Sequence, residues 1–84
     1  MNHHNLKIYL QHYRNVRSGT KTFEIRKNDR AFQKGDTVTL QAFCGIENKY
    51  YDRLSYPELD FKIGDVYPID SVRVVFSLLK ILNE

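Results

Sequence analysis

Apolar and polar residues alternate most regularly in the middle of the chain. In Thr37-Val38-Thr39-Leu40-Gln41-Ala42-Phe43, the residues Val38, Leu40 and Ala42 fall on one side and Thr39 and Gln41 on the other. Period two predicts a strand with one buried face. Gly35-Asp36 marks the turn into it. Leu6-Lys7-Ile8 alternates in the same way and predicts a short first strand. From Tyr9 to Arg17 the period changes: Tyr9, Tyr13 and Val16 recur at i, i+4 and i+7, one stripe of a helix. Gly19 suits the left-handed position that ends a helix, and Arg14 and Arg17 complement the dipole near that end. Tyr13 and Val16 read as core packing.

The segment Ser18 to Arg30 organises the rest. Its middle reads as a strand with Phe23 and Ile25 on one face and Thr22, Glu24 and Arg26 on the other. The apolar face is expected to anchor the core, and the other to present an acid beside a base. Asn28-Asp29 supplies turn chemistry. Ala31 to Asp36 reads as a turn-rich connection in which Phe32 is the core anchor. Gly45 to Asp60 is polar and aromatic, broken by Pro57. Its Tyr50, Tyr51 and Tyr56, beside Lys49 and Arg53, fit either a stacking platform for unpaired bases or packing under a long loop. Phe61-Lys62-Ile63 starts another strand, and Gly64 shifts the apolar parity to Val66, which predicts a bulge. Pro68 to Ser71 reads as a turn. Val72 to Leu82 is apolar on both faces; its first half favours a strand, and periodicity leaves Leu78 to Leu82 open between strand and helix.

One early helix among several short strands predicts an α+β, mainly β fold: a small β-barrel, closed or partly closed, since curling a sheet removes exposed edges. The 84 residues suit one domain, spanning 1–84, with a thin core. A hydrophobic share of 42% with 13% aromatics argues against disorder. The net charge of +3 is compatible with a polyanionic partner but gives only modest steering. A single cysteine excludes an internal disulfide and a cysteine-rich zinc site. Cys44 reads as packing. His3 and His4 are adjacent, so on a strand they point to opposite faces and make a poor ligand pair; His12 adds no recognisable metal spacing. No cofactor is expected. The sequence shows no apolar signal region and no bilayer-spanning run, so a cytoplasmic protein without membrane contact is the simple expectation.

Gly19-Thr20-Lys21-Thr22-Phe23-Glu24-Ile25-Arg26 resembles the Gly-x-Lys-x-x-Glu-x-Arg signature of ASCH domains, members of the PUA-like superfamily. The resemblance is closest to a small bacterial and phage branch of unknown function. It rests on His4 to Ile8, Ser18 to Arg30 and Gly35-Asp36, and covers residues 4 to 43. It implies a PUA-like barrel whose cleft, lined by Lys21, Glu24 and Arg26, holds RNA or a nucleotide-like ligand. A guanidinium offers a planar fork to phosphate or a base edge, and a lysine offers a point charge. Glu24 can accept from a base amine or simply hold Arg26 in place.

The expected function is RNA or nucleotide binding through a basic cleft. Lys21, Arg26 and Arg30 are expected to contact phosphate or base, Glu24 to orient them, and Lys7 and His4 to border the site. Some ASCH proteins are small amidohydrolases that act on an acylated cytidine through a threonine, a lysine and a glutamate. This chain keeps Lys21 but has Glu24 at that branch's threonine position, which argues against hydrolysis. The enzyme alternative would use Glu24 as base and Lys21 as oxyanion stabiliser. A protein-interaction module presenting Tyr50 to Tyr56 is the remaining class.

Overall fold

The computed structural model describes residues 1–81. Six strands and one helix follow in the order β1 (His3–Tyr9), α1 (Leu10–Arg17), β2 (Phe23–Lys27), β3 (Thr37–Cys44), β4 (Lys49–Tyr50), β5 (Leu59–Pro68) and β6 (Arg73–Lys80). The strands form one sheet in the order β1-β3-β5-β6-β2, with β4 attached to β3. This is a mainly β, α+β fold with a sheet curled into a half-barrel. Its two ends, β1 and β2, are not hydrogen-bonded to each other as strands. Among the described residues no helix is long and apolar enough to cross a membrane.

Pairing explains each element's length. β1 runs parallel to β3 from His3↔Thr37 to Tyr9↔Phe43, so it extends beyond the three residues whose alternation marks it in the sequence. The crossover between two parallel strands has to be long, and α1, β2 and the Asn28–Asp36 turn supply it. Leu6, Ile8, Val38, Leu40, Ala42, Ile63, Val74, Phe76 and Leu78 line the inside of the curl, and Tyr13 and Val16 of α1 close one end. Phe32 packs against Phe76 with ring centroids 4.9 Å apart and against the His4 ring at 4.7 Å. Gly19, at φ +82°, ends the helix as its spacing predicts.

Other expectations hold with changes. The sheet register shifts between Ile63 and Val66, at the predicted bulge. Glycine suits this position because a Cβ on Gly64 would displace Ser77 Oγ and meet Leu79 at 3.3 Å. β5 continues through Pro68, so the turn begins one residue later than the sequence suggests. Leu78 to Lys80 is strand rather than helix, and Leu82 lies outside the described residues. Tyr9 is not part of the helical stripe: it caps α1 in extended backbone and is exposed. Thr39, expected outward, is buried on the outer face of the sheet beneath polar neighbours. Its hydroxyl donates to Asp60 Oδ1 at 2.6 Å and therefore accepts from His3 Nε2 at 3.0 Å, which leaves His3 Nδ1 to accept from Thr37 at 2.6 Å.

The largest departure concerns β2. Phe23 and Ile25, expected to anchor the core, are 42% and 46% exposed, whereas Glu24 is 4% exposed and Arg26 partly buried. The strand is turned over relative to the expectation. Register is the reason: Glu24 stands opposite Phe76 and Arg26 opposite Val74, and both partners face inward. A one-residue slip would expose that whole row. Burying the carboxylate is tolerated because two cations engage it. Outside, Phe23 is partly covered by Lys21, whose Nζ lies 5.5 Å from the ring centroid.

Candidate functional site

The free edges of β1 and β2 face each other across a seam bridged by arginines. Arg26 Nη2 donates to the Lys7 carbonyl at 2.7 Å, and Arg30 Nη1 donates to the Asn5 carbonyl at 3.2 Å. Both carbonyls belong to the outermost edge of β1, which has no strand partner there among the described residues. Side chains thus stand in for the ladder that would close the barrel. The bridges divide the seam into two shallow cavities that share Lys7 and Arg26.

The first cavity, about 320 Å³, holds the acid–base cluster. Glu24 Oε2 accepts from Arg26 Nε at 3.0 Å and Oε1 from Lys21 Nζ at 3.4 Å. Lys21 Nζ also lies 3.3 Å from His12 Nδ1. An ammonium can only donate, so His12 accepts through Nδ1 and carries its hydrogen on Nε2. β2 positions Glu24 and Arg26, the loop after Gly19 brings in Lys21, and α1 contributes His12. Each Glu24 oxygen already has a cationic partner, so the carboxylate anchors the cations in place.

The second cavity, about 380 Å³, lies on the other side of the Arg26 bridge. Its wall carries Lys7, Arg26, Lys27 and Arg30 against one carboxylate, Asp29. Lys7 Nζ stands 4.4 Å over the Phe43 ring and 6.0 Å from the Tyr50 ring. Tyr50 sits edge-on to Phe43 with centroids 5.2 Å apart, and 45% of its surface is exposed. The Asn28 side chain holds the turn beneath, accepting from the Phe32 amide at 3.2 Å.

Of the residues expected at the site, Lys21, Glu24, Arg26, Arg30 and Lys7 come together at this seam. His4 does not border it. Its ring is buried and Nε2 donates to Asp36 Oδ2 at 2.9 Å. Asp36 also accepts from the Asn2 and Gln33 amides. The His4 hydrogen bond, helped by those amides and opposed by burial, holds the Asp36 carboxyl below its ordinary range. His4 and Asp36 thus pin the start of β1 to the turn before β3. The physical reason is parity: His4 shares the inward face of β1 with Leu6 and Ile8.

The tyrosines do not form one platform. Tyr51 and Tyr56 pack against each other at 5.1 Å, Tyr56 against Tyr13 at 5.8 Å, and Tyr13 donates to the Pro57 carbonyl at 2.7 Å. Lys49 and Arg53 are paired with Glu47 and Glu58. Of Tyr50, Tyr51 and Tyr56, Tyr50 alone lines the seam among the described residues, placed by the two-residue strand β4, which the sequence hides inside a loop. His12 joins the cluster without any local signal, because its partner is nine residues away across a turn. Cys44 is half-buried outside the seam, with its thiol lowered from the ordinary value by the Glu47 amide and the Tyr51 hydroxyl. Among the described residues, no three His, Cys, Asp or Glu side chains cluster as metal ligands.

Residues 3–77 match the family described as Domain of unknown function (DUF3850). The chain belongs to that family. The match takes in both edges of the seam and nearly all of the sheet. No curated protein matches the chain.

Proposed function

We propose that this DUF3850 domain binds RNA or a nucleotide-like ligand in the seam between β1 and β2. The observation that carries the reading is the charge left over there. Among the described residues, Lys7, Lys27 and Arg30 form no ion pair, although each lines the seam. Lys21 and Arg26 share a single carboxylate. Cations held in place by Glu24 and by backbone carbonyls are pre-organised donors for phosphate oxygens or base edges. The ASCH-like signature Gly19 to Arg26 supports the same reading. The lone cysteine fits a reducing, cytoplasmic setting.

The test is an NMR titration of labelled protein with short single-stranded RNA, cytidine and acylated cytidine. Amide shifts are expected to cluster on Lys7 and Lys21 to Arg30. Lys21→Gln with Lys7→Gln is expected to abolish them while the rest of the spectrum stays dispersed. Affinity for RNA should fall with salt, by a slope of about −0.7 in log K against log salt for each neutralised phosphate. Absence of shifts at millimolar ligand, or affinity flat with salt, would overturn the reading. Conversion of acylated cytidine during the titration would point to the hydrolase chemistry instead.

A protein-interaction role has one observation in its favour. Ile46 and Leu54, in the two loops flanking β4, are 98% and 93% exposed. Capture of a partner that is lost in Ile46→Ser with Leu54→Ser would support it.

A further inference from the structure

We infer that the seam is a two-subsite track for a single strand of at least two nucleotides, with the second subsite formed by Lys27, Arg30 and Tyr50. This inference rests on the nucleotide-binding reading above and deepens it.

The two cavities adjoin, and the residues common to both are Lys7 and Arg26. At about 320 and 380 Å³, each is at the lower limit of small-ligand pockets, the size of one compact ligand unit. A lone nucleoside in the Glu24 cavity leaves the larger, more cationic cavity unused. Nothing in the Glu24 cluster accounts for Lys27 and Arg30, which stand at the far end with only Asp29 to offset them. The shared cations sit where the two cavities meet, so a phosphodiester that joins two nucleotides has donors at its midpoint. The guanidinium retains capacity for that role. Arg26 spends Nε on Glu24 and Nη2 on the Lys7 carbonyl, while its Nη1 takes part in none of these bonds.

The second subsite also offers a base platform. Tyr50 is the one exposed aromatic ring in that cavity, and its edge-on contact with Phe43 limits its movement. Stacking on an aromatic face is tolerant of base identity, and lysine and arginine beside it supply the backbone contacts. Duplex fits this arrangement poorly, since a base stacked within a duplex has no free face for Tyr50.

The experiment compares affinities of the wild-type protein at one fixed salt concentration. The probes are the four ribonucleoside monophosphates, the homodinucleotides and the homotetranucleotides. The dinucleotides are expected to bind about tenfold or more tightly than the corresponding monophosphates. Tyr50→Ala, and separately Lys27→Gln with Arg30→Gln, are expected to remove that gain, so that each variant binds its dinucleotide no more tightly than the corresponding monophosphate. Lys27→Gln alone guards against a folding defect, because Lys27 is exposed and makes no side-chain hydrogen bond among the described residues. Equal affinity for mono- and dinucleotides would overturn the second subsite and leave the nucleotide reading standing. No binding by any probe would overturn both. A dinucleotide gain that survives in all three variants would overturn the assignment to Tyr50, Lys27 and Arg30.

Discussion

Arg26 ties the two edges of the half-barrel together, and the cost of replacing it follows from its contacts. Nε donates to Glu24 at 3.0 Å while Nη2 donates to the Lys7 carbonyl at 2.7 Å. Arg26→Lys keeps the charge and much of the aliphatic stem but loses the planar fork that reaches both acceptors. Hydrogen bonds to charged groups contribute about 1.5–3 kcal/mol each. The Arg26 side chain is 23% exposed, so the lower end applies, and a lysine recovers part of the attraction to Glu24. The expected loss is about 1–2 kcal/mol, set chiefly by the missing bridge to β1. In a domain of this size that lowers the thermal midpoint by roughly 4–16 °C. Urea unfolding should show a lower midpoint with an unchanged slope, since the surface exposed on unfolding is the same. Combining it with Glu24→Gln should reveal a coupling above about 0.5 kcal/mol, because the two residues share one network. A loss below about 0.5 kcal/mol, with strict additivity, would refute the claim that Arg26 closes the seam.

Three further outcomes are expected. The Asp36 carboxyl is held low mainly by His4, so its contribution is complete above its ordinary value of 3.8 and disappears as pH falls through the lowered folded value. Asp36→Asn should therefore be less stable near neutrality and show a flatter acid profile than the wild type; parallel profiles in urea unfolding from pH 5 to 2 would contradict this. Gly64→Ala should cost about 1–3 kcal/mol through overpacking against Ser77, and Ser77→Ala in the same chain should recover part of it, read by thermal unfolding. Tyr13→Phe deletes the bond to the Pro57 carbonyl and should cost about 1 kcal/mol, with faster proteolysis in the Tyr51–Glu58 loop as the local readout.

Features that depend on neighbours in the chain were legible without the structure. Strict alternation placed Val38, Leu40 and Ala42 inside, the parity break at Gly64 marked the bulge, and Gly19 marked the end of α1. These signals are local because backbone conformation and the two faces of an extended segment are set by adjacent residues. Glu24 and Arg26 likewise announced an acid beside a base, since residues two apart on an extended segment share a face, whereas Lys21 reaches Glu24 from the loop before β2.

Tertiary structure decided which face each element buries and what lies across from it. β2 has apolar residues at odd positions, yet register against β6 turns Glu24 and Arg26 inward and leaves Phe23 and Ile25 outside. The parallel pairing of β1 with β3 draws His4 to Asp36, away from the seam, and puts the Asn5 and Lys7 carbonyls on the free edge where arginines can reach them. His12 enters the seam from α1, across the turn at Gly19, and Tyr50 from β4, which is distant from β2 in sequence and joined to it only through the sheet. Periodicity defines two faces for a strand but carries no label for the core. That label comes from long-range pairing, in which a one-residue shift reverses every side chain.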